Sequence, residues 1–345
     1  MNTRNKKLSD YFPSIRLRTD LVNEISSDPA LSITFNSWST EHQNEFLDIL
    51  TGNIGVKMLY DSYFKEILDP ESSPERLSNL LSVLLGKKVK VKYALPNDSS
   101  RLGDEMSLVI TDIVVELEDG SIANVEVQKI GYAFLGERAA CYSADLLLRQ
   151  YKRLRDEKKK HFSYKDIGQV YTIVFLESSP TIFKQYPDTY IHNFGYTSDS
   201  GIKLNMLQNY AFIPIDIFLE KLHNEGINSE LDAWLTFLSC DEPEYIIRLI
   251  EEYPRFKEMY ADLYEMCKNV AEVMSMFSKE LKILDDNTVK YMIDELQEQL
   301  DDANRALSEK DAALADKDAA LADKDAEIRR LKAILDTSQN QHSIR

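Results

Sequence analysis

Alternation of apolar and polar residues predicts a β-rich core. Residues 112–117 and 122–128 both alternate with a period of two and are joined by Asp119-Gly120, which predicts a β-hairpin. Residues 88–93 predict a strand before it, and the unbroken apolar run at 170–176 predicts a strand buried on both faces. A helix to about residue 160 separates the hairpin from that last strand, which indicates a β–α–β crossover.

Helical periodicity predicts most of the remaining elements. Helices are expected at residues 38–50 and 56–68, and another runs from Ser73 at its N-cap, with Pro74 at its first position, to Gly86. Extended segments are expected near residues 190–194 and 212–216, and an apolar helix at 231–238. Residues 1–40 show no clear periodicity and predict a partly ordered arm.

The length of the hairpin turn decides which side chains share a face. A two-residue turn, Asp119-Gly120, would pair Asp112 with Val127 and put Glu126 on the opposite face. A three-residue loop at 118–120 with its glycine in the left-handed conformation instead pairs Asp112 with Glu126. Gln128 then lies on the same face as Glu126. The sequence allows both turns, and a slip of one residue reverses every side chain.

Asp112, Glu126 and Gln128 on one face would suit chemistry on a phosphodiester. Two carboxylates across a ladder, with Cβ atoms about 5 Å apart, suit a hard cation such as Mg²⁺, and the backbone carbonyl of Val127 could add a ligand. The cation would polarise a phosphoryl oxygen and acidify a bound water. Gln128 could orient that water. The alternative is that these residues form the solvated face of an amphipathic hairpin.

Four short motifs, in this order and spacing, resemble a known family. They are Asp61-Ser-Tyr-Phe-Lys-Glu, the segment from Ser107 through Asp112 to Gly120, Asn124-Val-Glu-Val-Gln, and Glu137-Arg-Ala-Ala-Cys-Tyr-Ser. Together they resemble the PD-(D/E)XK nuclease family transposases, also called Rpn-type recombination-promoting nucleases. That family has a D-x-x-F-K helix, E-x-Q in place of the superfamily's E-x-K, and an R-x-x-x-Y helix. The chain departs from the pattern in Thr111 before Asp112 and in a long N-terminal extension.

The resemblance implies a restriction-endonuclease-like α/β core, a mixed sheet flanked by helices, and a set of catalytic residues. That set is Asp61, Asp112, Glu126 and Gln128. Asp112 and Glu126 would hold Mg²⁺, or alternatively Mn²⁺, and Gln128 would position the water. Asp61 on the first helix would complete the acidic set, with Glu66 a weaker candidate. For both of these, the alternative is a solvated helix carboxylate.

Composition limits the compartment and the partners. The chain has 345 residues, 43% of them hydrophobic, which is enough for one core domain with appendages. No apolar run is long enough to span a membrane, and no apolar segment follows the basic N-terminus as in a secretory signal. Cys141, Cys240 and Cys267 are isolated thiols, which indicates a reducing cytoplasm. The net charge of −17 argues against a polyanionic partner, although screening confines surface charge to about 8 Å.

One basic segment offers a local surface for DNA. On the helix after the hairpin, Arg138, Arg149 and Lys152 share one face with Asp145, and Arg153 lies in the same dense basic stretch. The functional interpretation places the three arginines and Lys152 on backbone phosphates, which would position a duplex without reading its sequence. The alternative is a solvated helix face. Tyr142, toward the other side, is expected to pack in the core.

The C-terminal tail has a heptad repeat of apolar residues. The repeat comprises Leu300, Leu307, Leu314, Leu321, Ile328 and Leu335. The second seam, three positions later, is poor because it contains Lys310, Lys317 and Lys324 beside Ala303 and Leu331. We expect a helical tail that forms a weak homodimer or docks on a partner. The alternative is a solvated single helix.

Five segments and two functions are therefore expected. The segments are an N-terminal extension at 1–50, a nuclease-like domain at 51–255, a helical connector at 256–284, a coiled-coil tail at 285–336 and a disordered end at 337–345. The first function is a Mg²⁺-dependent deoxyribonuclease associated with recombination or transposition. The second is a non-catalytic nuclease-like scaffold or regulatory protein that oligomerises through its coiled coil. The four candidate catalytic residues favour the first, and the acidic net charge favours the second.

Overall fold

The computed structural model describes residues 6–95, 113–129 and 134–342, where a mixed six-stranded sheet is flanked by helices. The strand order across the sheet is β1-β2-β3-β4-β6-β5. The β3–β4 and β4–β6 pairs are parallel and the other pairs antiparallel, which confirms the mixed sheet and the crossover. The strands are β1 (Val91–Ala94), β2 (Ile113–Leu117), β3 (Ile122–Gln128), β4 (Val170–Leu176), β5 (His192–Phe194) and β6 (Gln208–Pro214).

The helices surround this sheet and extend beyond it. Those before and within the sheet are α1 (Leu8–Tyr11), α2 (Arg18–Ser27), α3 (Pro29–Ser37), α4 (Thr40–Leu50), α5 (Asp61–Ile67), α6 (Pro74–Leu85), α7 (Leu135–Lys158) and α8 (Thr181–Lys184). Those after it are α9 (Ile215–Glu225), α10 (Glu230–Ser239), α11 (Pro243–Glu252), α12 (Arg255–Met266) and α13 (Val270–His342). The chain divides into two compact units, Met1–Val289 and Lys290–Arg345.

The hairpin between β2 and β3 has the three-residue loop. Ile113 pairs with Val125, and the Leu117 N–H donates to the Ser121 carbonyl at 2.8 Å, which leaves residues 118–120 as the loop. Gly120 has φ 81°, the left-handed conformation that this loop requires. The three-residue alternative is therefore confirmed. Asp112, whose pairing with Glu126 was predicted from it, lies outside the described residues.

The two faces of β3 meet different surroundings. Ala123 and Val125 belong to the large core that includes β4, β6 and most helices of the first unit. Ile122 points the other way and packs with Leu146 of α7. Because strand side chains alternate, residues 124, 126 and 128 lie on the α7 side with Ile122.

Residues 8–37 form three helices, and the expectation of a partly ordered arm is wrong for them. Leu8, Phe12, Leu21 and Ile25 are all buried in the main core. The helices were missed because α1, α2 and α3 have at most two buried residues each, too few to define a helical period. Their stability comes from packing on the core rather than from their own pattern.

The start of one predicted helix and the limits of the first predicted strand also differ from those in the structure. The helix expected at 56–68 begins only at Asp61, and the preceding Val56 and Met58 are buried without being helical. The first strand is found at Val91–Ala94 rather than at 88–93. The helix that ends at Gly86 is confirmed, with φ 61° at that glycine.

The tail is helical from Lys290, within α13, to His342. Five of the heptad residues, Leu300, Leu307, Leu314, Leu321 and Ile328, are exposed in the single chain, so the helix is shown and a coiled coil is not. Among the described helices, we find none with the combined length and apolarity needed to cross a bilayer.

Candidate functional site

A row of buried polar side chains on β3 lies beneath α7. Asn124, Glu126 and Gln128 alternate along the α7 side of the strand and are at most 5% exposed. The Gln128 Nε2 donates to the Glu126 Oε1 at 2.8 Å. This bond joins two of the predicted catalytic residues, and it follows from their i, i+2 spacing on a strand.

Several oxygens of this row have no hydrogen-bond partner within the described parts of the chain. They include Oε2 of Glu126 and Oε1 of Gln128, together with the Asn124 amide and the neighbouring Thr172 hydroxyl. Asn124 and Thr172 are paired in the β3–β4 register, so these groups adjoin one another on the sheet. A buried polar atom without a partner costs about 1–3 kcal/mol. Such a cluster is typical of a site that receives water, an ion or a ligand.

The charge of Glu126 is controlled by its burial and by α7. Burial raises the pKa of the Glu126 carboxyl, whereas the hydrogen bond from Gln128 and the positive charge of Arg138 lower it. Arg138 also hydrogen-bonds Tyr142, whose pKa is raised mainly by burial. Arg138, expected to contact phosphate, and half-buried Tyr142, expected in the core, thus both lie by the Glu126 carboxylate.

The donor atoms at Glu126 and Gln128 fit a hard divalent cation in part. Carboxylate and amide oxygens are the ligands that Mg²⁺ accepts, and both residues present an unpartnered oxygen. Within residues 6–95, 113–129 and 134–342 there is no group of three His, Cys, Asp or Glu residues that could hold a metal. The predicted second carboxylate, Asp112, lies outside these ranges. The carbonyl of Val127 as a ligand stays a prediction.

Asp61 is held at the start of α5 by different partners. Its Oδ1 pairs with the Lys65 Nζ at 2.5 Å, and its backbone N–H donates to Oε2 of Glu280 at 3.2 Å. These contacts connect Asp61 to α13, and its place in the acidic set stays a prediction. Glu66, the weaker candidate, is exposed.

A buried ionic network at the end of β3 was missed from the sequence. Lys129 directly follows β3 and is 8% exposed. Its Nζ lies 2.9 Å from Glu177 and 3.2 Å from Glu280, and 4.6 Å from the centre of the Tyr60 ring. One signal could have revealed it, since Glu280 is spaced helically with buried Phe277 on the apolar face of α13.

The other predicted phosphate-binding residues differ in whether they already form ion pairs with acidic side chains. Arg149 forms an ion pair with Asp145, and Arg153 forms one with the buried Glu116. Lys152 is exposed, and in the part of the chain that is described it makes no ion pair. Among these residues on α7, Lys152 is therefore the one most accessible to an anionic ligand.

A mixed sheet with a buried Glu-x-Gln motif on its third strand, covered by a helix that contributes arginine, defines a PD-(D/E)XK nuclease-type protein. The chain belongs to the PD-(D/E)XK nuclease family transposases, whose family model matches residues 58–296. The match begins after α4 and ends within α13, so it includes Glu280 as well as the candidate site. Comparisons with curated proteins and with solved structures found no significant match.

Proposed function

We propose that this protein is a Mg²⁺-dependent DNA endonuclease that acts in recombination or transposition. The observation that carries the proposal is the buried Glu126–Gln128 pair, which presents two oxygens on the face covered by α7 that have no hydrogen-bond partner among the described residues. A solvated hairpin face, the alternative considered from the sequence, would not be 4–5% exposed. Membership of a nuclease family supports the reaction class.

Each residue of the site has a distinct role in this proposal. Glu126 and Asp112 hold the cation, with the Val127 carbonyl as a further ligand, and the cation supplies charge stabilisation at the phosphoryl group. Gln128 donates through Nε2 to Glu126, which leaves Oε1 to accept a hydrogen bond from the attacking water. Asp61 completes the acidic set from α5. None of these assignments requires Gln128 to gain or lose a proton, because its side-chain amide is not titratable.

Arg138 helps to keep the Glu126 carboxyl negatively charged. Its positive charge offsets part of the burial that raises the pKa of the Glu126 carboxyl, and so favours the anionic form that binds a cation. The substrate is DNA in this proposal, with phosphate contacts from Arg138, Arg149, Lys152 and Arg153 along α7. Such contacts position the duplex without specifying its sequence.

A plasmid-nicking assay tests the proposal with a matched control. The purified full chain should convert supercoiled plasmid to the nicked form in Mg²⁺ or Mn²⁺ and not in EDTA. Glu126→Gln should reduce the rate by about 10²-fold or more. Glu118→Gln, which changes an exposed carboxylate in the adjacent loop, should leave it unchanged.

Two outcomes would overturn the proposal. Absence of nicking by the wild-type chain with either metal would exclude the nuclease, and a fully active Glu126→Gln variant would exclude this site. Thermal unfolding of each variant shows whether the fold is retained.

The second candidate is a non-catalytic scaffold that pairs through its tail. The observations that favour it are the net charge of −17 and the exposed heptad residues of α13. In that case Glu126→Gln would leave partner binding unchanged. Under both candidates the free thiols of Cys141, Cys240 and Cys267 suit a reducing, cytoplasmic compartment.

A further inference from the structure

The tail presents a continuous column of exposed apolar side chains. The first column consists of residues seven apart, each 49–59% exposed: Ile293, Leu300, Leu307, Leu314, Leu321 and Ile328. A seven-residue repeat keeps such a column facing a partner helix only if the two helices supercoil. The spacing therefore indicates another helix as the occupant.

A second column three positions later is apolar only at its ends. Leu296 is 63% exposed and Leu331 is 53% exposed, and Ala303 follows Leu296 by one heptad. The three heptads between them place lysine there instead. The tail thus has a full two-column seam at each end and a single leucine column in the middle.

The middle heptads have opposite charges on the two sides of the leucine column. Lysine stands three positions after each leucine and aspartate four positions after it, in the pairs Lys310-Asp311, Lys317-Asp318 and Lys324-Asp325, all exposed. At 3.6 residues per turn, the third and fourth positions lie on opposite sides of the column. Each helix therefore has a lysine edge and an aspartate edge along its contact stripe.

We propose that the tail forms a parallel, in-register two-stranded coiled coil with a second copy of this chain. A two-fold axis parallel to the helices places the lysine edge of one tail against the aspartate edge of the other. An antiparallel pair would instead place lysine against lysine and aspartate against aspartate over three heptads, which is destabilising. The tail is thus complementary to itself in only one orientation.

The ends of the seam set the register. A slip of one heptad leaves the near-identical middle repeats matched, but it places Leu331 at the level of Lys324 of the partner. A change in the pattern specifies the register, in the same way that polar residues at core positions fix the register of other coiled coils. This pairing does not depend on catalysis, so its test is independent of the test of nuclease activity.

The mass of the full chain tests the interface. Light scattering at tens of micromolar should give twice the 39.8 kDa of one chain. Leu314→Glu should raise the dissociation constant at least tenfold, and Ala319→Glu, away from the column, should not change it. A monomeric wild-type chain, or a Leu314→Glu variant that dimerises like the wild type, overturns the proposal.

Disulfide cross-linking tests the orientation. In a Cys141→Ser background, which removes the exposed native thiol, Leu300→Cys should form cross-linked dimers on mild oxidation. Ala303→Cys, on the second column, is a second variant in case the first weakens pairing. If Leu300→Cys chains link only to Leu335→Cys chains, or neither single variant links within a dimer, the parallel orientation is wrong.

Discussion

Lys129 and Glu280 form a buried ion pair, with 3.2 Å between Nζ and Oε1, that joins the end of strand β3 to helix α13. Their side chains are 6% and 2% exposed. The other carboxylate oxygen of Glu280 accepts the backbone N–H of Asp61 at 3.2 Å. Burial raises the pKa of the Glu280 carboxyl, and the charge of Lys129 lowers it. One carboxylate therefore links α5 and α13 to the residue beside Gln128.

Removing either partner of this pair should destabilise the first unit strongly. Glu280→Gln or Lys129→Met leaves a buried charge with less compensation, which costs about 3–5 kcal/mol. The double variant should lose less than the sum, because it removes both charges, with a coupling energy of about 1–3 kcal/mol. Urea unfolding of the four proteins measures the cycle. Additive losses would mean that the pair is not coupled.

Glu116 should make the stability sensitive to acid. Burial alone would raise the pKa of this carboxyl, but bonds from Lys92 and Tyr93, both at 2.8 Å, and from Arg153 bring the pKa below its usual 4.5. A depressed pKa means that the unfolded chain binds a proton first as the pH falls. The associated stability is present above pH 4.5 and is lost as the pH falls through the folded-state pKa.

Glu116→Gln tests this linkage. At neutral pH the variant should be about 2 kcal/mol less stable than the wild type, because a neutral amide replaces the carboxylate that pairs with the charges of Lys92 and Arg153. The difference should shrink as the pH falls below 4.5 and through the folded-state pKa. Unfolding free energies measured by denaturant across that range would show it, and a constant difference would contradict the assigned pKa direction.

Arg153 and Lys152 should respond differently to alanine. Arg153→Ala removes a partner of the buried Glu116 and should cost about 1–3 kcal/mol of stability. Lys152→Ala should leave stability almost unchanged, and if α7 contacts DNA it should reduce the salt dependence of binding by about one phosphate contact. Fluorescence anisotropy with a short duplex at several salt concentrations, beside urea unfolding, separates the two effects. Equal stability losses would contradict the distinction.

Gly168 should tolerate a side chain less well than Gly120. A Cβ at Gly168 would lie 2.3 Å from the Gly120 carbonyl oxygen, which is backbone and cannot turn away. Gly168→Ala should therefore cost about 3 kcal/mol. Gly120→Ala meets open space and should cost about 1 kcal/mol, for its φ of 81° alone. Thermal unfolding of both variants compares them, and the reverse order would contradict the predicted contact.

The hairpin shows where local sequence stops being sufficient. Asp119-Gly120 predicts a turn, but these two residues are compatible with both the two-residue and the three-residue loop. The three-residue loop is supported by contacts from distant residues: the Gln150 Nε2 donates to the Gly120 carbonyl at 2.9 Å, and Gly168 packs against the same backbone. Since one residue of register reverses every side chain, these long-range contacts determine which face Glu126 occupies.

By itself, the sequence determined the elements with a strong period: the alternating hairpin strands, the fully buried β4, the helix that ends at Gly86 and the heptads of the tail. Such patterns depend on neighbours a few residues apart, which is why they can be read without a structure. Only the tertiary structure decided the helices of residues 8–37, the contact of Asp61 with Glu280, and the pairing of Lys129 with Glu280. Each of these depends on burial against residues far away in the chain, and no local period encodes that burial.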